Sequence, residues 1–155
     1  MPALDDHVLA VPLIDHHVHG YWLQTRDRAR FENGLNEANV EPLADFDSAF
    51  DTQIGFAVRA HCAPVLGLPR HAEPDEYWAR RTELGDDEVA RLFLTAAGVT
   101  DWLVDPGFGL GIADLQTMAR TSGGRVGEGV RLEPIAKVAA AAHGDDVDAF
   151  RRILH

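Results

Sequence analysis

Short β-type stretches alternate with helical ones along this chain, and that alternation limits the fold more than any other feature. The first stretch, LAVPLIDHHVH from Leu9 to His19, is apolar and β-branched and reads as a buried strand. Arg26 to Pro42 is polar and aperiodic and reads as a loop. From Phe46 the apolar residues Phe46, Phe50, Ile54 and Val58 recur every four positions, which predicts a helix ended by Pro64. A helix is expected from Pro74 to Gly85. Another is capped by Asp86, carries Val89, Leu92, Phe93 and Ala96 on its apolar side, and stops at Gly98. VTDWLVDPGFG then reads as a second strand ending in a turn, Asp114 to Arg120 as a helix closed by Gly123 and Gly124, and GVRLEPIAKVA as a third strand. Asp145 or Asp146 caps a last helix through Val147, Phe150 and Leu154. Strands separated by helices predict a parallel α/β sheet of about three β units, with a helical insertion after the first strand.

Composition narrows the function classes. The chain has 155 residues, 14 basic against 25 acidic, and a formal net charge of −11. An acidic protein of this kind lacks the basic face that nucleic acid or an anionic membrane would require. Cys62 is the single cysteine, which excludes an internal disulfide and suits a reducing, cytoplasmic setting. No apolar run approaches the roughly 18 residues of a membrane span, and the N-terminus does not read as a secretory signal.

The chemistry concentrates in LIDHHVHG, Leu13 to Gly20. Side chains alternate along a strand, so Leu13, Asp15, His17 and His19 share one face, while Ile14, His16 and Val18 share the other. Imidazoles at i and i+2 sit roughly 6–7 Å apart at Cβ, close enough to converge on one metal ion. His17 and His19 are therefore candidate metal ligands and His16 is not. Asp15, one step deeper, is placed to accept an imidazole N–H. A bare His-x-His pair is a weak motif. Its position at the end of the first strand of an α/β pattern is what favours ligation over a pair of surface histidines.

These residues carry a resemblance. LIDHHVHG resembles the Asp-x-His-x-His signature that ends the first strand of the amidohydrolase superfamily. Phe46 to Gly107 and the stretch VRLEPIAKV resemble the bacterial amidohydrolases related to the amidohydrolase half of FluG-type, glutamine-synthetase-associated proteins. The resemblance implies the N-terminal part of a TIM-type (β/α)8 metal-dependent hydrolase barrel, with residues 26–98 a helical insertion rather than an independent domain. It implies His17 and His19 as metal ligands, zinc as the default ion with manganese or iron as alternatives, and hydrolysis of an amide-like C–N bond in a small molecule. A γ-glutamyl or related amide is the substrate class suggested. The further ligands and the catalytic base lie on later strands, beyond residue 155. Such barrels run to about 250 residues, with about 200 the lower end, so the chain is expected to be an N-terminal fragment or truncated product, inactive by itself.

Other residues are candidates for substrate binding. Asp105 ends the second strand, where an Asp-Pro-Gly turn is the competing explanation. Glu133 falls at the end of the expected third strand, where it could equally pair with Arg131. Arg59 and His61 lie on the insertion, with packing or solvent as the alternative. Lys137, the only lysine, reads as exposed, as do His7, His71 and His143. Two other functions stay open. One is a non-catalytic product or interaction module, since the edges of an open barrel invite self-association into a homo-oligomer. The other is decarboxylase, isomerase or phosphodiesterase chemistry on the same scaffold.

Overall fold

The computed structural model describes residues 10–25, 27–36, 48–107, 111–143 and 146–153, together with Val8 and Ala44. Three strands form one parallel sheet in the order β1-β2-β3: β1 (Leu13–Val18), β2 (Val99–Val104) and β3 (Arg125–Glu128). Helices fill the connections, so the chain is a mixed α/β fold. Among the described residues no helix is long and apolar enough to cross a membrane.

The first connection is the long one. It holds α1 (Arg28–Gly34), a 3-10 turn at Ala49–Asp51, α2 (Gln53–Ala57), a π turn at Val58–Cys62, α3 (Ala63–Val65), α4 (Pro74–Leu84) and α5 (Asp86–Ala96). The helix α1 falls where the sequence reads as loop. It carries one buried-side apolar residue, Phe31, so no periodicity announces it. Local hydrogen bonds build it instead: Asp27 caps the N-terminus by accepting from the Arg30 N–H at 2.7 Å, and Arg28 donates to Glu32 at 2.6 Å, one turn on. Pro64 does not end its helix. The chain passes through the π turn, and the Arg59 carbonyl is taken by the His71 N–H at 2.8 Å, so the missing proline N–H leaves that acceptor satisfied. Gly85 serves as both the C-cap of α4 and the N-cap of α5. Asp86 sits inside the first turn of α5 and accepts from the Thr25 N–H at 2.9 Å rather than capping.

The sheet is covered from one side. Trp102 and Val104 of β2 are buried against Met118 of α6 (Leu115–Ser122), with Val18, Val126, Leu115 and Leu94 completing the cluster. Asp114 caps α6 through the Thr117 N–H, and Gly123 ends it in the left-handed region at φ 68°. The third strand lies at Arg125–Glu128, upstream of its expected place. Most of the stretch Gly129 to Ala139, expected as strand, belongs instead to the helix α7 (Leu132–His143). Pro134 stands in the first turn of that helix, where its absent N–H costs little, and the alanine run Ala139–Ala142 favours helix. A last helix, α8 (Val147–Ile153), is capped by Asp146, which accepts from the Ala149 N–H at 2.9 Å. Phe46, Asp145 and Leu154, invoked for helices, and His7 lie outside the described residues, as does the side chain of His143.

Candidate metal centre

The parallel pairing of β1 with β2 brings two strand ends together. The Asp105 N–H donates to the Val18 carbonyl at 2.8 Å, and the Gly129 N–H continues the ladder to the Val104 carbonyl at 2.7 Å. Register slips between Asp15 and Val18, so the end of β1 is irregular where the histidines stand. Beyond β1 the chain is stitched to the segment after β2. The Leu23 N–H donates to the Gly111 carbonyl, and the Ala113 N–H donates to the Tyr21 carbonyl, both at 2.9 Å, with Trp22 and Ile112 bridged antiparallel. Gly20 makes the turn at φ 86°, and a Cβ there would meet the Ala113 carbonyl at 3.2 Å.

That frame gathers His17, His19 and Asp105, whose candidate ligand atoms all lie within 4.8 Å of one another. The two imidazoles meet edge to face with centroids 4.8 Å apart. Donors around a tetrahedral zinc at about 2.05 Å are about 3.4 Å apart, so a small closing of side chains would complete the set. Two imidazoles and a carboxylate suit zinc, manganese or iron. His16 is exposed and stands outside the group.

Asp105 is 5 % exposed and does several things at once. One carboxylate oxygen accepts from the Arg131 Nε–H at 2.5 Å, and the other caps the turn by accepting from the Gly107 N–H at 3.0 Å. His19 Nδ1 lies 3.7 Å from the carboxylate and 3.3 Å from the Asp105 carbonyl oxygen. The Arg131 hydrogen bond holds the Asp105 pKa below the ordinary aspartate value, against the effect of burial and with help from Gly107 and His19. Asp105 is thus an anionic oxygen donor at neutral pH. The turn expected at Asp105 is formed, and the same side chain stands in the candidate metal group.

The other candidates divide. Asp15 accepts the backbone N–H of His17 at 3.1 Å instead of an imidazole N–H, because it reaches the next residues of its own strand first. Glu133 is in the first turn of α7, not at a strand end, yet it lines a cavity with His17, Asp105, Arg131 and Lys137. Arg59 is buried and clasped by the Ala72 and His71 carbonyls at 2.7 and 3.1 Å. Its guanidinium organises the turn after α3 and faces neither cavity beside the histidines. His61 is exposed on the π turn and also lines neither. Arg131 was visible in the sequence only as a partner for Glu133. The parity of β2, with Trp102 and Val104 inward, was the signal that puts Asp105 on the histidine side. Comparisons with protein-family models, with curated proteins and with solved structures return no match for this chain.

Proposed function

We propose that the chain carries the metal-binding end of a metal-dependent hydrolase of amide-like C–N bonds, built on the N-terminal part of a TIM-type (β/α)8 barrel. The observation that carries this reading is the convergence of His17, His19 and Asp105 at the C-terminal ends of two neighbouring parallel strands. Barrel enzymes place their chemistry at that end. Sequential order in an all-parallel sheet, with Met118 of α6 and Leu94 of α5 packed on Trp102 and Val104, supports the same architecture. A divalent ion, zinc by default and manganese or iron as alternatives, would supply a Lewis acid that polarises a carbonyl and acidifies water. His17 and His19 would hold it as neutral imidazoles. Asp105 would add an anionic oxygen or orient His19, and Arg131 keeps that carboxylate charged and fixed. The substrate is a small amide, γ-glutamyl or related, and the lone, half-buried Cys62 fits a cytoplasmic setting.

Zinc calorimetry on the metal-free chain tests the reading. Weak binding is expected, abolished in the double variant His17→Ala, His19→Ala and lowered about tenfold or more in Asp105→Ala. His16→Ala should bind as wild type does. Equal affinity in wild type and the double variant would reject the site.

One observation favours a second reading, a module that associates through its sheet. Leu13, Ile14 and Leu103 are 52 %, 63 % and 43 % exposed. Sedimentation velocity that shows metal-independent dimers, broken by Leu103→Glu, would support it.

A further inference from the structure

Between the helical insertion and the sheet lies a cavity of about 420 Å³, within the roughly 300–1,000 Å³ of small-molecule sites. Trp22, Phe31, Phe93, Leu94 and Ile112 give it apolar walls. Arg81 of α4 and Asp86 of α5 also line it, and His19 is the one residue it shares with the candidate metal group.

The two charged side chains from the helices are not equally committed. Asp86 accepts from the Thr25 N–H at 2.9 Å. Arg81 donates to the Thr25 hydroxyl at 3.1 Å, is hydrogen-bonded to Tyr77, and lies over the Phe31 ring at 4.8 Å. These partners are neutral. Among the described residues no carboxylate stands within 4 Å of the Arg81 guanidinium, in a chain of net charge −11 where Arg28, Arg80, Arg91 and Arg125 each have one. The Arg81 Nε–H is buried and meets no acceptor. A buried charged donor without a partner is an uncompensated cost. A guanidinium is shaped to receive the two oxygens of a carboxylate, which would supply both the missing acceptor and the missing charge.

We infer that this cavity is a binding site for an apolar monocarboxylate, with the carboxylate on Arg81 and the body among Trp22, Phe31 and Phe93. The inference goes beyond the hydrolase reading and holds without it: one cavity is involved, and its ligand is held rather than cleaved. Charge sets the selectivity. One carboxylate neutralises Arg81, whereas a second would face Asp86 in the same cavity, so a dicarboxylate is disfavoured. A neutral amide of the same shape keeps the apolar contacts and leaves the guanidinium without its counter-charge.

The test is calorimetric titration of the metal-free chain with phenylacetate, phenylacetamide, hexanoate and phenylmalonate at about pH 7, where the acids are ionised. Phenylacetate is expected to bind about tenfold more tightly than phenylacetamide or phenylmalonate, and to raise the melting temperature. Hexanoate against phenylacetate shows whether the body is a chain or a ring, and either order upholds the class. Arg81→Met should bring phenylacetate down to the level of phenylacetamide without weakening the amide, a pattern that lost packing alone would not give. Arg81→Lys, which keeps the charge, should retain part of the preference and carries the test if Arg81→Met fails to fold. Ala90→Leu, which adds bulk to the cavity wall, should weaken acid and amide alike by about tenfold. The double variant His17→Ala, His19→Ala should keep the acid preference, which separates this site from the metal centre. Equal affinity for acid and amide in the unaltered chain, an acid preference that survives Arg81→Met, or its loss in the histidine double variant overturns the inference. Acid binding in a chain that takes no zinc upholds it while the metal reading fails, and zinc binding without acid binding does the reverse.

Discussion

In the helical insertion the rings of Phe31, Phe50 and Tyr77 close on one another at centroid distances of 5.6–6.1 Å, with Leu66, Ala63 and Val89 buried around them. The sheet has a smaller cluster of Trp102, Val104 and Met118, and its opposite face leaves Leu103 and Leu13 in solvent. Among the described residues the better packed region contributes nothing to the candidate metal group, and the half-covered region carries all three of its members. Packing and chemistry are thus divided between different parts of one chain. They are joined by α5, which gives Val89, Leu92 and Phe93 to the insertion cluster and Leu94 to the sheet cluster. A cavity beside His19, lined by Val89, Ala90, Phe93 and Leu94 of that helix and by Arg81, lies along that seam.

The largest effect that bears on this comparison is excision. A peptide of residues 45–98 lacks Phe31 and Glu32 and leaves Leu94 without its sheet, so it should show no cooperative melt. A sharp two-state transition would make the insertion an independent domain. Next is the core itself. Phe50→Ala should cost about 3–5 kcal/mol and Met118→Ala about 2–5 kcal/mol. Because α5 serves both clusters, calorimetry of each variant should show one transition moved to lower temperature. Two separate transitions would break the link.

Glu32 offers a finer probe. It accepts from Arg28, from the Ser48 hydroxyl at 2.7 Å and from the Ala49 N–H at 2.8 Å, tying α1 to the start of the insertion core. Burial raises its pKa, but these three donors outweigh burial and leave it below the ordinary glutamate value of 4.5. A depressed folded pKa stabilises the fold above the unfolded value, and that stability is lost as pH falls through the folded one. Glu32→Gln should therefore cost about 1–3 kcal/mol at pH 7, and the gap from wild type should shrink in denaturant titrations below pH 4.5. A gap that stays constant with pH would assign the effect to packing. The smallest expected effect is at the stitch beside the site. Gly20→Ala forces an alanine to φ 86° and should cost about 1–2 kcal/mol. Zinc affinity should fall with it, and unchanged affinity would show that His19 is held without that turn.

Much of this layout was legible because it rests on local rules. Strand parity separated His17 and His19 from His16, and Gly85, Gly98 and Gly123 marked chain reversals that all take positive φ. What was missed depends on competition between neighbours. Arg125–Glu128 is only four residues with Gly127 in the middle, too short and too bare to outscore the apolar stretch after it, which instead continues as helix α7. The sheet pins those four residues by a cross-strand pair, Arg125 to both oxygens of Asp101 at 2.6 and 2.9 Å. That partner is invisible to a window. Asp105 was ambiguous for a related reason. Its turn role is local, whereas Arg131 and His19 reach it from distant positions.

The stitch between Tyr21–Leu23 and Gly111–Ala113 has a consequence for how such a molecule can diversify. It fixes the chain immediately after His19, before the insertion begins. The insertion runs from this stitch to the start of β2, and lengthening it costs little, because doubling a loop adds only about 0.6 kcal/mol of closure entropy. Descendants of this sequence can therefore exchange or enlarge the walls of the cavity beside His19 while the strand ends that carry His17, His19 and Asp105 stay in place, so the surroundings and the cluster are free to drift at different rates.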